Sequence, residues 1–263
     1  MNLDRIIAVR NRKTVYRDGD LCMKVFDASY SKADILAEAL NQARAEEIGL
    51  HVPPIRKVTV IDGKWTIITD YIKGKSMAQL ISEHPEQKND LLERFVKLQL
   101  EVQSASCPLL PDLRQKMYRK IAQSDLDDAT RNSLYALLDS MPGHDKLCHG
   151  DFNPSNIILA QDGTPYILDW AHAAQGNASA DAARTYLLFW LDGDIDAAER
   201  YLRLFCLGSG TDRQYVRKWM PIVAAARLLN GNEKEREFLR SWIRIPDNES
   251  TNENHNIQKG ETQ

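Results

Sequence analysis

The sequence predicts an α+β fold in two parts: a small antiparallel β-sheet carrying one helix, then a larger, mainly helical part. Three observations predict it. Up to about residue 73 the chain alternates short apolar runs with Asp-Gly turns, the signature of hairpins. One stretch of helical periodicity interrupts these runs, from Ser31 to Ile48. Beyond Gly74 most patterned segments repeat apolar residues three or four apart.

The elements follow in order. Residues 5–9 (RIIAV) form an apolar run, and 14–17 (TVYR) and 21–26 (LCMKVF) flank the turn Asp18-Gly19-Asp20. Ser31 can cap a helix in which Ile35, Leu36, Ala39, Leu40, Ala43 and Glu47 recur at helical spacing until Gly49. His51-Val52-Pro53-Pro54 stops it, because proline lacks the N–H and clashes with a continuing helix. Strands 56–61 and 64–72 come next, split by Asp62-Gly63. Helical patterns then cover 76–83, 87–105, 112–124 and 127–141, and Pro142-Gly143 ends them. A β-like stretch, 146–159, precedes Asp162-Gly163 and a strand at Pro165–Leu168; 179–206 and 212–243 are helical again. The expected division is 1–73, 74–245 and a polar tail, 246–263, whose composition predicts disorder.

Bulk properties exclude several function classes. The 263 residues are 43% hydrophobic and 27% charged with a net charge of -3, so no positive field draws the chain to nucleic acid or anionic lipid. No run approaches 18 apolar residues, so no membrane span is expected. Cys22, Cys107, Cys148 and Cys206 lack CxxC spacing and read as reduced thiols. The N-terminus lacks a signal-peptide pattern, and the expected location is the cytoplasm. The sequence carries no internal repeat and no signature of oligomeric state.

The chemistry lies in the stretch from Leu147 to Leu159. It contains H-G-D-x-x-x-x-N, and Asp169 follows Asn156 by thirteen residues within Ile167-Leu168-Asp169-Trp170. Phosphoryl transfer needs a carboxylate to orient or deprotonate the attacking hydroxyl, and hard oxygen ligands to hold magnesium against nucleotide phosphates. Asp151 supplies the first; Asn156 and Asp169 supply the second. Each stands beside an apolar run, so the polar ends of two short strands converge on one point. The plain alternative is a turn followed by an unrelated strand end. A four-residue match arises by chance roughly once per 10⁵ positions, and the placement of Asp169 makes accident rarer still.

These residues resemble the aminoglycoside phosphotransferase family, relatives of the choline kinases with a protein-kinase-like two-lobe fold. The resemblance runs from about residue 5 to residue 245. It is strongest over His149–Asn156, Asp169-Trp170 and Asp181-Ala182-Ala183-Arg184. It implies ATP as donor, Asp151 as catalytic base, Asn156 and Asp169 on magnesium, His149 bracing the loop and Asp181 in a structural role. A kinase also needs a cation on the α- and β-phosphates, held by an acid. Lys24 fits, although a lysine between apolar neighbours also suits an exposed strand; the resemblance points to Glu38 as its partner, with Glu46 and Glu47 as rivals. Thr69-Asp70-Tyr71-Ile72 falls where the family's hinge offers backbone groups to adenine, which marks Asp70 and Ile72. Two departures stand out. Asn153 and Ser155 replace a His and a Gly common in the family; the turn 9–14, unlike the Gly-rich loop of protein kinases, has no glycine. In that turn Arg10, Arg12 and Lys13 either reach phosphate through side chains or form a plain basic turn.

The function these residues imply is transfer of the γ-phosphoryl group of ATP to a hydroxyl of a small molecule. The alternative is a kinase-like protein that binds a nucleotide or metabolite without turnover. A protein kinase is disfavoured: Gly150 replaces the catalytic-loop Arg, Trp170-Ala171 follows Asp169 in place of Phe-Gly, and no A-P-E segment is present. Asp192-Gly193-Asp194 begins like a calcium loop but continues to Ala197 and Arg203 where Gly and Glu are required, and fits a helix start better. Trp190, Trp219 and Trp242 read as core. A cationic aminoglycoside acceptor would need an acidic pocket, for which Asp192, Asp194, Glu199, Glu233, Glu235 and Glu237 are available. Choline, sugars, homoserine-like metabolites and nucleosides fit the sequence equally.

Overall fold

The computed structural model describes residues 5–10, 12–229 and 233–243; the predicted disordered tail lies outside the described residues. The N-terminal strands are β1 (Ile6–Arg10), β2 (Lys13–Asp18), β3 (Leu21–Phe26), β4 (Ile55–Ile61) and β5 (Lys64–Asp70), with helix α1 (Lys32–Glu47) between β3 and β4. They pair antiparallel in the order β1-β2-β3-β5-β4. Strand β5 stops at Asp70, two residues before the expected end, because the next N–H, of Tyr71, bonds to the Asp20 carbonyl at 2.8 Å.

Helix α1 begins at Ser31, whose hydroxyl accepts from the Asp34 N–H. Its buried face differs from the apolar periodicity. Leu36 and Leu40 are 41% and 49% exposed, whereas Glu38, Asn41 and Gln42 are buried. That face meets the rest of the protein through polar contacts: Asn41 Nδ2 donates to the Trp170 carbonyl at 3.2 Å and Gln42 Nε2 to that of Pro53 at 2.7 Å. Buried amides with partners are tolerated where unpartnered ones are costly.

After the hinge, β6 (Gly74–Ser76) leads into α2 (Met77–Glu83), α3 (Lys88–Ser104), α4 (Leu113–Ala122) and α5 (Asp128–Ser140). The β-like stretch expected over 146–159 is two strands, β7 (Lys146–Cys148) and β8 (Ile157–Ala160), with a loop between them. Strand β9 (Pro165–Ile167) pairs with β8, which also pairs with β6, and β10 (Ala174–Gly176) pairs with β7. The expected helix over 179–206 is α6 (Ala178–Leu191) and α7 (Ile195–Ser209), separated where Asp194 caps the new helix through the Ala197 N–H at 3.1 Å. The expected helix over 212–243 is α8 (Arg213–Lys218), α9 (Met220–Leu228) and α10 (Glu233–Ile243). Pro221 opens α9, where a missing N–H costs nothing.

The large core lies among these helices. Phe95 of α3 packs on Phe152 of the loop between β7 and β8 with centroids 4.8 Å apart, and on Phe189 and Tyr201. Phe152 is fully buried, which roots that loop in the core beside Asp151. Trp219 is buried, and Trp190 and Trp242 pack on the core with Phe238. No helix among the described residues is long and apolar enough to cross a membrane. The four cysteines are free thiols.

Candidate active site

The loop joining β7 to β8 is held from several sides. His149, fully buried, accepts the Asp151 N–H at Nδ1 (3.2 Å) and meets the Leu168 carbonyl at Nε2 (2.9 Å). A backbone N–H requires a lone pair and a carbonyl requires a proton, so the tautomer carries its proton on Nε2. The ring packs edge-on against Trp170, centroids 4.8 Å apart. Asp181 of α6 accepts the Gly150 N–H at 2.7 Å, and Gln99 and Gln103 of α3 each donate to it at 3.2 Å. Two of the longest helices thereby fix the loop.

Gly150 itself has φ +78°, and a Cβ there would lie 2.5 Å from the His172 carbonyl oxygen. Both the left-handed backbone and this contact demand glycine. Gly150→Ala is expected to destabilise the fold by about 2 kcal/mol or more, read as a lower midpoint in urea unfolding.

Asp151 presents its carboxylate to three side chains. Oδ2 accepts from Asn156 Nδ2 (3.1 Å) and Asn153 Nδ2 (3.4 Å), and Oδ1 from the Arg184 guanidinium (3.5 Å). Burial pushes this carboxyl up, but Arg184 first, with His172 and His149 behind it, outweighs burial and holds the acid below its ordinary range. Asn153, at one departure from the family pattern, also accepts the Ser155 N–H at 3.0 Å. It is therefore part of the loop's own bracing.

Across the cleft stand the cations. Lys24 Nζ donates to Glu38 Oε1 and lies 3.2 Å from Asp169 Oδ1. Glu46 and Glu47 take no part. Lys13 Nζ joins them, 3.2 Å from Glu38 Oε2 and 3.8 Å from Asp169 Oδ1, over the rings of Phe26 and Tyr30. Of the described side chains in the glycine-free turn, Lys13 faces this cluster and Arg12 reaches Ser29 instead; the Arg10 side chain lies outside the described residues. Burial lowers the Lys24 ammonium and the two carboxylates more than reverse it, leaving it raised. Asp169 is opposed by burial yet held far below its ordinary range by Lys24 and Lys13. Its backbone is left-handed, φ 63°, an unusual state for a residue with a side chain.

A cleft of about 560 Å³ runs between the sheet and β8. Lys24, Glu38, Asn156 and Asp169 line its polar end; Asp70 and Ile72 line the hinge end. The Asp70 carboxylate is ion-paired with Arg56, so what it has to offer a ligand is backbone. Asn156 and Asp169 are both oxygen donors of the hard kind that magnesium prefers. Asn156 directs its amide nitrogen to Asp151, and the amide oxygen is the atom of this side chain with the chemistry to meet a cation. The donor set fits magnesium.

The motif, the loop and the cleft match a known pattern over most of the chain. Residues 8–219 match the model of the phosphotransferase enzyme family. The chain belongs to that family. Solved structures share its protein-kinase-like fold. One is a choline/ethanolamine kinase family protein from Mesorhizobium loti, with 16% identity over 94% of this chain and 90% of that one, TM-score 0.61. Another is a thermostable mutant of aminoglycoside phosphotransferase APH(4)-Ia in a ternary complex with ADP and hygromycin B, 15% identical over 90% of each chain, TM-score 0.66. A third is the choline kinase LicA from Streptococcus pneumoniae, 14% identical over 92% of this chain and 90% of that one, TM-score 0.60. A search of curated protein sequences gives no match.

The structure of this phosphotransferase family member brings Asp151, Asn156, Asp169, Lys24 and Glu38 together as the sequence predicts. It adds residues to which sequence reasoning gave no role. Arg184 stood inside the Asp181–Arg184 segment without a role of its own, and it contacts Asp151. Lys116, Lys120 and His172 belong to no motif of the sequence.

Proposed function

We propose that the protein transfers the γ-phosphoryl group of ATP to a hydroxyl of a small molecule. The observation that carries this reading is the convergence of Lys24, Lys13, Asn156 and Asp169 at one end of the cleft, with Asp151 bonded to Asn156. The hydroxyl oxygen bonds to the γ-phosphorus, the bond from phosphorus to the β,γ-bridging oxygen breaks, and ADP leaves. The hydroxyl proton passes to Asp151. Because this carboxyl lies below its ordinary range, it is charged at neutral pH and orients the hydroxyl before taking the proton late. Lys24 holds the α- and β-phosphates, and Glu38 holds Lys24. Lys13 supplies by side chain a cation where protein kinases use glycine-loop amides. Asn156 and Asp169 would hold magnesium, which when bound neutralises charge on the phosphates.

On this reading residues 1–73 bind nucleotide, 74–245 bind the acceptor, and Asp70 and Ile72 meet the base through their backbones. ADP bound to a structural neighbour and the four free thiols support ATP as donor and the cytoplasm as location. Asp169→Asn is expected to weaken magnesium-dependent binding of a non-hydrolysable ATP analogue by about tenfold or more. Calorimetric titration with and without magnesium measures it; an unchanged magnesium dependence removes Asp169 from the metal.

A further inference from the structure

A second cavity opens beside Asp151 and shares no lining residue with the nucleotide cleft. Lys116 and Lys120 of α4, Asp181 and Arg184 of α6, Gly150 and His172 line its polar part. Lys116 is pinned by the carbonyls of His172 (2.7 Å) and Ala173 (3.1 Å), and Arg184 touches Asp151. Lys120 has no ion pair with any carboxylate among the described residues. The charges that act on it most strongly are mainly of its own sign, Arg184, Lys116 and Arg227 against Asp151. Arg227 is paired with Glu235 at 3.2 Å, and Asp181 is committed to Gly150, Gln99 and Gln103.

Like charges gathered in a partly buried site cost folding energy. Burial, reinforced by Arg184 and Lys116, brings the Lys120 ammonium down to about 7, and burial with Arg119 brings Lys116 to about 8. Burial and Lys120 push His172 down to about 3, so it adds no charge of its own at neutral pH. An anion arriving from outside relieves this repulsion. A cationic ligand would aggravate it. Most of the acids available to a cation are engaged, Asp194 by Lys88 (2.6 Å), Glu199 by Tyr186 (2.6 Å) and Arg213, and Glu235 by Arg227; Asp192 forms no ion pair among the described residues and does not line this cavity. Glu233 and Glu237 are exposed on α10. At about 30 Å³ the cavity admits a small group and not a whole metabolite.

We propose that the acceptor is an anion: a small hydroxylated compound whose carboxylate or phosphate is bound by Lys120, Lys116 and Arg184 while its hydroxyl meets Asp151. This rests on the phosphotransferase reading and names its substrate class. Lys120 and Lys116 are then specificity determinants, and Arg184 serves both the acceptor's acid group and Asp151.

The test has two arms. In the first, ADP release is measured over matched sets: gluconate, glucose 6-phosphate, glucose and glucosamine; glycerate, glycerol and ethanolamine. The acidic members are expected to exceed their neutral and amino analogues in kcat/KM by roughly 10²-fold. Lys120→Met is expected to raise KM for the acid at least tenfold while KM for ATP stays. Preference for the amino compounds, or an acid preference that survives Lys120→Met and Lys120→Gln, overturns the proposal. In the second, thermal unfolding is followed with phosphate or oxalate, which separates the two acid groups. Lys120→Met alone is expected to raise the Tm, because it removes a half-buried charge crowded by others of its own sign, and to abolish the anion-dependent rise expected of the wild type. Equal anion-dependent shifts in both proteins overturn the proposal. If no compound releases ADP, the kinase reading falls, and this second arm still decides whether the pocket binds anions.

Discussion

Asp151→Asn is expected to lower kcat by at least about 10²-fold, the usual cost of losing a positioned acid–base group. The substitution keeps the shape of the side chain and an oxygen able to accept from Asn156, so the loop should stay in place. What it removes is the negative charge that orients the hydroxyl and the lone pair that takes its proton. Nucleotide affinity should hold, because Asp151 does not line the nucleotide cleft. Single-turnover release of ADP, beside titration of an ATP analogue, separates these effects. Normal turnover would remove Asp151 from the reaction; lost nucleotide binding would mean that the loop had moved. The carboxyl is held below its usual value of 3.8 by Arg184, working against burial. Its charge therefore persists as pH falls and is lost only below that value, so a fall in rate between pH 7 and 5 belongs to another group.

Much of this site was legible because its chemistry demands particular residues at short spacing. His149, Asp151 and Asn156 lie on one loop, and each makes at least one side-chain hydrogen bond within it. The hairpins were legible for a similar reason: Asp18-Gly19 and Asp62-Gly63 are local signals. Helix α1 shows where this reading stops. Periodicity placed Leu36 and Leu40 inward, but the interface is polar because Glu38, Asn41 and Gln42 have partners outside the helix. No local pattern reports the partner of Asn41, which lies 129 residues along the chain. Lys116 and Lys120 were hidden in the same way. Lysines four apart on an amphipathic helix look solvated, and their enclosure depends on α6, α9 and the turn at Trp170–His172. Strands β6 and β10 have three residues each, too few to show a period.

Glu38→Gln should damage stability and phosphate binding together. The Glu38 carboxylate is 4% exposed and accepts from Lys24 through one oxygen and Lys13 through the other. Glutamine fills the same volume but offers one neutral oxygen and an amide that must face an ammonium. Two lysines, 13% and 20% exposed, would then share Asp169 alone. Removing one partner from a buried charge network costs about 3–5 kcal/mol. Partial exposure of the lysines lets water recover some of that and favours the lower end, a fall in Tm of roughly 6–10 °C. The lysines would also lose the brace that aims them at phosphate, so affinity for the ATP analogue should drop as well. Lys24→Met provides the control. If the pair acts as a unit, the double variant Lys24→Met/Glu38→Gln will be less destabilised than the sum of the two single variants, because the second change removes a charge already orphaned by the first. Additive losses would mean that Glu38 and Lys24 act independently, and the arrangement at the mouth of the cleft would then be two separate contacts that happen to touch.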